Sequence, residues 1–121
     1  MTVTDSAHSL TALKMAGSVI VVPSHFGIGS GSGLTLASVS GLRNEYVTKR
    51  VVVTSTDMST EKYITWTGDW NSVIMSGLQL GEFGIFNALS GGSIFDFQTI
   101  TTPVTFDGTN ELQIQLTWNF Y

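Results

Sequence analysis

Residues 111–120 read ELQIQLTWNF, and this last stretch of the chain indicates the fold. Apolar side chains occupy every second position without interruption, namely Leu112, Ile114, Leu116, Trp118 and Phe120. Successive side chains of a β-strand point to opposite faces, so the pattern predicts a strand with one apolar and one polar face. We therefore expect a sheet with one face against a core and the other facing water or a partner.

A hairpin is predicted just upstream of this strand. Residues 81–95 read GEFGIFNALSGGSIF, with an apolar run on each side of Ser90, Gly91 and Gly92. Glycine adopts positive φ angles without steric cost, which tight hairpin turns require. The stretch therefore predicts two antiparallel strands joined at these glycines.

The remaining sequence predicts one mainly β domain spanning residues 1–121. Between residues 45 and 120, runs rich in Val, Thr, Ile and aromatic residues alternate with turn signals, and they predict strands at 46–55, 62–71, 78–87, 93–101 and 111–120. A short N-terminal helix is predicted over residues 5–16, a flexible Gly/Ser loop over 29–33 and a hairpin loop over 57–60. This spacing predicts an antiparallel β-sandwich or barrel.

Composition and charge argue against several functional classes. Charged residues make up 12% of the chain, about half of the ~25% that is typical, and its five Lys and Arg residues form no stripe. Nucleic-acid binding is therefore not expected, because it needs clustered basic groups. The chain has no cysteine, no apolar run long enough to span a bilayer and no signal-peptide pattern. We expect a protein that is folded in a cytoplasm without membrane contact.

Catalytic and metal-binding patterns are not found. His8 and His25 have no carboxylate at ligand spacing, so neither a metal nor a cofactor is expected. The glycines of residues 27–33 match neither dinucleotide-binding nor P-loop spacing, and no clear helix follows them. No nucleophile is paired with a base. A paired set of carboxylates is not expected either, because predicted turns and strand ends hold Asp57, Glu61, Asp69, Asp96 and Asp107. The chain is therefore not expected to be an enzyme.

Glu82 interrupts an apolar row. In a regular strand it would share a face with Leu80 and Phe86, and buried charges are kept only when they are paired. We predict an ion pair between Glu82 and one of the basic residues upstream, Lys49, Arg50 or Arg43. The alternative is a β-bulge near Gly81 or Gly84 that turns Glu82 outward.

Trp66 and Trp70 lie four residues apart in a predicted strand, so their rings share one face. Such a pair can anchor a core or a subunit contact. It can also stack on the sugars of a glycan, and both interpretations stay open at this point.

Three segments resemble a family of small virion proteins of tailed bacteriophages. Residues 23–31, PSHFGIGSG, are similar to its P-x-h-x-x-x-G-x-G segment, and residues 42–51 are similar to its L-x-x-E…R-K-x-V block, although the basic pair here reads Lys49-Arg50. Residues 82–92, EFGIFNALSGG, resemble its E-x-G-[IL]-F-N-A-x-S-G-G hairpin, which is the most specific of the three. The resemblance extends over residues 9–120.

The resemblance implies an antiparallel, jelly-roll-like β-sandwich without enzymatic activity. It also implies that the protein is part of a virion assembled in the host cytoplasm. A chain without a fibre shaft suits a head decoration (cement) protein, commonly a homotrimer that stabilises the capsid by contacting the major capsid protein. A tail-fibre or baseplate subunit involved in host attachment is the first alternative. A module that binds host glycans through Trp66 and Trp70 is the second.

Overall fold

The computed structural model describes residues 2–5, 23–33, 40–56 and 63–119. In chain order its elements are β1 (Thr2–Val3), β2 (His25–Gly29), β3 (Val51–Val52), β4 (Thr54–Thr56), β5 (Tyr63–Trp70), α1 (Ser72–Met75), β6 (Gln79–Phe86), β7 (Ile94–Thr105) and β8 (Leu112–Asn119). The predicted helix over residues 5–16 and the predicted loop over 57–60 lie outside the described residues, except for Asp5.

The strands form two antiparallel sheets that pack against each other. Sheet A has five strands in the order β1-β7-β6-β2-β3, and sheet B has three in the order β4-β5-β8. The predicted antiparallel β-sandwich is therefore confirmed. Sheet order departs from chain order, since β2 pairs with the distant β6.

The main core lies between the sheets and is aromatic. Ile114 and Leu116 of β8 are buried while Gln113, Gln115 and Thr117 are exposed, which is the alternation expected from the sequence. Phe26 and Ile28 of β2 enter the core from sheet A. Burial of such side chains at about 1.5–3 kcal/mol each stabilises the sandwich.

One predicted strand divides between the two sheets. The sequence predicts a strand over residues 46–55, but regular pairing begins at Val51, where β3 joins sheet A. The chain then passes Val53, whose amide donates to the Ser24 carbonyl, and continues as β4 in sheet B. The chain therefore passes from sheet A to sheet B between β3 and β4. Strand propensity alone does not predict this change of sheet, because both strands are rich in Val and Thr.

A short helix that the sequence pattern did not indicate follows β5. The Asn71 side chain accepts a hydrogen bond from the Ile74 amide at 2.8 Å and caps the helix, whose Met75 is buried. At four residues it is too short to show a 3.6-residue period.

The first of two irregularities in the β6–β7 pairing changes which side chains face the core. Leu80 pairs with Val104 whereas Glu82 pairs with Thr99, so the register shifts at Gly81. Leu80 consequently packs in the main core, while Glu82 lies with Phe86 on the opposite, outer face of sheet A. The prediction that Leu80 and Glu82 share a face is wrong, because a bulge reverses the alternation between them.

Candidate functional site

The outer face of sheet A has a floor of glycines. Gly27 of β2 lies beside Gly84 of β6, and Gly29 lies beside Glu82. A Cβ atom on Gly29 would lie 2.5 Å from the Asn44 carbonyl oxygen, and one on Gly27 would lie 2.7 Å from a Glu45 carboxylate oxygen. Glycine is therefore required at both positions so that residues 42–45 can lie directly on the sheet.

Glu82 fastens this segment to the sheet. Its side chain is fully buried, and its carboxylate accepts three backbone N–H bonds, from Gly31 at 3.0 Å, from Arg43 at 2.8 Å and from Asn44 at 2.7 Å. Hydrogen bonds to an ionised acceptor are stronger than neutral ones. We call these four residues the Glu82 cluster, and it joins two loops that are distant in sequence.

Further hydrogen bonds connect the same loops. The Ser30 amide donates to the Asn44 carbonyl at 3.0 Å, and the Asn44 side-chain amide donates to the Ser30 hydroxyl at 2.6 Å. The Tyr46 amide donates to the Ile28 carbonyl at 2.9 Å. The predicted flexible loop over 29–33 thus includes Gly29, which belongs to β2, and Ser30 and Gly31, which are held by hydrogen bonds.

A part-buried ion pair holds the neighbouring hairpin turn in place. Arg50 donates through Nε and Nη2 to the two carboxylate oxygens of Glu45, at 2.6 and 2.9 Å, and both side chains are at most 10% exposed. Its Nη1 donates to the carbonyls of Ala88 at 2.8 Å and Gly91 at 2.7 Å. Its guanidinium also stacks 3.6 Å above the Phe86 ring. We call these residues the Arg50 cluster.

The turn has the geometry that its glycines predict. Gly91 and Gly92 have φ values of 64° and 73°, in the left-handed region that glycine tolerates. The Asn87 side chain closes the turn by accepting from the Ser93 amide at 2.9 Å. Beside it, Phe86, Ile94 and Phe97 form a second, smaller apolar cluster against which Leu42 packs.

The predicted ion pair of Glu82 is not formed. Among the residues that the structure describes, none of its partners is a side-chain cation: Arg43 contributes only its amide, and Arg50 is paired with Glu45. The Lys49 carbonyl accepts from the Trp70 indole instead. The predicted burial of Glu82 is confirmed, but its partners are backbone N–H groups. The type of a residue does not tell where its backbone N–H points, so a sequence pattern cannot predict such partners. Sequence reasoning also missed Glu45, although its position five residues before Arg50 was a signal.

The two tryptophans belong to the core. Trp66 is 5% exposed and meets Trp118 edge to face at 5.0 Å between centroids, and Trp70 is 1% exposed. Both rings lie on one face of β5, as predicted from their spacing. A sugar-stacking platform or an interface built on these rings is therefore wrong, because both are covered inside one chain.

A shallow groove of about 380 Å³ lies over these clusters, lined by Ser40, Gly41, Leu42, Arg43, Asn44, Glu45, Val47, Arg50, Phe86, Gly91 and Gly92. Its charged groups Glu45 and Arg50 are committed to each other, and Arg43 is exposed. Within the described residues no three His, Cys, Asp or Glu side chains gather as a metal site would require. Because Glu45 and Arg50 bond to each other, neither side chain is placed to exchange a proton with a molecule bound in the groove.

Asp96 is the second buried acid and lies between the sheets. It is 1% exposed, its Oδ2 accepts from the Trp118 indole N–H at 2.9 Å, and its Oδ1 has no hydrogen-bond partner within the described part of the chain. Burial raises the pKa of this carboxyl above its usual value, and the indole hydrogen bond opposes that rise. The carboxylate carries a desolvation cost that the hydrogen bonds from the Trp118 indole and the Phe97 backbone offset only in part.

Across residues 2–5, 23–33, 40–56 and 63–119, no helix has both the length and the apolar character needed to cross a membrane.

Comparison with known proteins identifies no relative: no family model, no curated protein and no solved structure matches the chain.

Proposed function

We propose that this chain is a non-enzymatic structural protein of a tailed-bacteriophage virion, acting as a head decoration (cement) protein. In this role it oligomerises as a homotrimer and binds the major capsid protein, which stabilises the capsid. It needs no cofactor and no metal.

The observation that carries the proposal is the convergence of the three segments that resemble the phage family. Residues 23–31, 42–51 and 82–92 meet on the outer face of sheet A through the Glu82 and Arg50 clusters. The acid and glycines of the hairpin motif have specific structural tasks there, since Glu82 holds two loops and Gly91 provides both a positive φ and a carbonyl for Arg50. Each of the three segments therefore contributes residues to one surface of the molecule.

The chemistry of the clusters favours a structural role. Glu82, Glu45 and Arg50 direct their polar atoms to the chain's own backbone or to each other. Groups used in this way hold loops in one conformation, and a preordered loop surface binds a partner with little loss of conformational entropy. Such a surface suits a subunit contact.

Exposed apolar residues lie beside these clusters. Val47 is 65% exposed and lines the groove, and Leu89, which is 63% exposed, lies in the turn that Arg50 fastens. Apolar anchors with a polar rim are the usual composition of protein contacts. We propose that Val47 and Leu89 contact the capsid, so binding depends only weakly on salt.

The test is addition of purified protein to heads assembled without it. We expect binding in fixed stoichiometry and greater resistance of the heads to heat, with light scattering of the free protein giving the mass of a trimer. Leu89→Asp is expected to abolish binding. Val104→Asp is the matched control, because Val104 is 48% exposed and pairs with Leu80 at the end of β6 away from the hairpin turn.

Two other results would redirect the proposal. Binding to tails and not to heads would replace the cement role by the tail-fibre or baseplate role. Binding to isolated host glycan would indicate receptor recognition by a surface other than Trp66 and Trp70, since both rings are buried.

A further inference from the structure

Arg43 is a basic side chain of the groove that the Glu82 and Arg50 clusters do not use. Its backbone amide bonds to Glu82, but its guanidinium has no hydrogen bond and no ion pair within the part of the chain that the structure describes. The residue is exposed and lines the groove. A guanidinium stays charged and presents its N–H donors in a planar fork, which matches the two oxygens of a carboxylate.

Two glycines leave space for the Arg43 side chain. A Cβ atom on Gly31 would lie 2.8 Å from the Cβ of Arg43, and one on Gly33 would lie 3.5 Å from its Nη1. The side chain therefore extends from Gly31 towards Gly33, along the loop that follows β2. This loop supports the side chain without bonding to the guanidinium, so the N–H donors are kept for another molecule.

The other charged groups at the groove are already paired. Glu45 and Arg50 bond to each other. Glu82 is fully buried beneath residues 42–45, and three backbone N–H groups bond to its carboxylate. Among the described residues that line the groove, Arg43 is thus the charged side chain that a bound molecule can pair with. The net charge of the chain is −4, which repels extended polyanions and favours a single carboxylate.

The surroundings of Arg43 suit a peptide segment. Val47, which is 65% exposed, lines the groove, and Leu89 in the neighbouring turn is 63% exposed. Gly91 and Gly92 line the groove without side chains, so the backbone of a partner can approach closely. A segment that lies in the groove therefore meets apolar contacts together with one unpaired cation, which is the mixture found in protein contacts.

We propose that the groove binds an extended segment of the major capsid protein in which an Asp or Glu carboxylate accepts two hydrogen bonds from the Arg43 guanidinium. Apolar residues beside that acid pack on Val47 and Leu89. This inference rests on the proposed contact with the head and names the chemistry of the partner segment. The apolar contacts supply most of the affinity, and the bidentate ion pair fixes the register of the segment. A single ion pair agrees with a weak dependence on salt.

The test compares four proteins in binding to heads assembled without this chain: wild type, Arg43→Gln, Arg43→Lys and Lys49→Gln. Arg43→Gln keeps the amide that bonds to Glu82, so we expect an unchanged melting temperature. Its affinity for heads is expected to fall about tenfold, with slower association. Arg43→Lys keeps the charge but not the fork, and we expect an intermediate affinity.

Lys49→Gln is the matched control, because it changes the net charge equally and Lys49 does not line the groove. We expect it to bind heads as wild type does. In a salt series, added salt should weaken the binding of wild type slightly and that of Arg43→Gln not at all.

The outcomes separate this inference from the proposed function. If wild type binds heads and Arg43→Gln binds them equally well, the inference is overturned and the proposed function stands. Equal losses in Arg43→Gln and Lys49→Gln would indicate general charge attraction in place of a pair in the groove, and would also overturn it. Failure of wild type to bind heads overturns the proposed function, and the inference with it.

Discussion

The two faces of sheet A each bury a carboxylate, but in opposite circumstances. Glu82 on the outer face receives three backbone N–H bonds, whereas Asp96 on the inner face receives one from an indole. Both are at most 1% exposed. Burial alone therefore does not tell what an acid does. Glu82 holds loops that would otherwise have unpaired donors, whereas the desolvation cost of Asp96 is offset only in part.

The largest expected effect is at Glu82. Glu82→Ala leaves three backbone donors without their acceptor, and each unsatisfied buried donor costs about 1–3 kcal/mol, so we expect a loss of at least about 3 kcal/mol in the free energy of unfolding. Glu82→Gln preserves shape but places an NH₂ group against one amide, which predicts about 1–3 kcal/mol. Urea unfolding measures both. Equal losses in the two variants would contradict the view that the individual amide bonds matter.

The glycine floor is expected to rank next. Gly29→Ala brings a Cβ to within 2.5 Å of the Asn44 carbonyl and of the Glu82 carboxylate, so the segment above must move. Such overpacking costs about 1–3 kcal/mol. Gly41→Ala is the matched control, because a Cβ there meets nothing within 4 Å, and it should change stability by no more than ~0.5 kcal/mol. Thermal melting of both variants measures the difference. Equal melting temperatures would contradict the view that close contact with the segment above excludes a side chain at Gly29.

Asp96 is expected to give a smaller effect that depends on pH. Its pKa in the folded protein lies above the 3.8 of a free aspartate. As the pH falls through the folded pKa, the native state binds a proton before the unfolded chain does, so low pH stabilises the native state. We therefore expect wild type to gain stability relative to Asp96→Asn as the pH falls towards ~4, and the gain to level off below the unfolded pKa.

Urea titrations of the two proteins at several pH values measure this difference, and other titrating groups cancel to a first approximation. A wild-type advantage that shrinks with falling pH would show that Asp96 is stabilised as a carboxylate, and the contrast with Glu82 would then be lost.

The smallest effect is expected on the exposed face of sheet B. The hydroxyls of Thr65 and Thr117 lie 2.8 Å apart across neighbouring strands in an exposed position. Cross-strand pairs of this kind contribute about 0.2–1 kcal/mol, so Thr117→Val should be near the lower end of that range in chemical unfolding. A loss of several kcal/mol would mean that this face is covered in the free protein.

Local patterns predicted the β8 strand, the glycine turn and the sandwich class well. β8 has strict alternation, because one face packs in the core and no bulge interrupts it. The turn at Gly91 and Gly92 was predictable because positive φ is nearly a property of glycine itself. The crossing from β3 to β4 and the helix α1 were not, since neither has a periodic signal long enough to read.

The cluster residues show where local reasoning reaches its limit. The place of Glu82 among apolar residues predicted that it needs partners. Its partners are the backbone amides of Gly31, Arg43 and Asn44. The pairing of β2 with β6 brings these amides close to Glu82. The face of Glu82 depended on the bulge at Gly81, which only the pairing with β7 defines.

The sequence by itself determined the class of fold, the alternation of β8 and the position of the turn, because these depend on side-chain period and on φ preferences of single residues. The tertiary structure alone decided what pairs with Glu82, why Gly27 and Gly29 must lack a side chain, and that Trp66 and Trp70 face the core. Those features depend on contacts between segments that are distant along the chain, such as Gly31 and Glu82, which are 51 residues apart, and no local pattern carries such contacts.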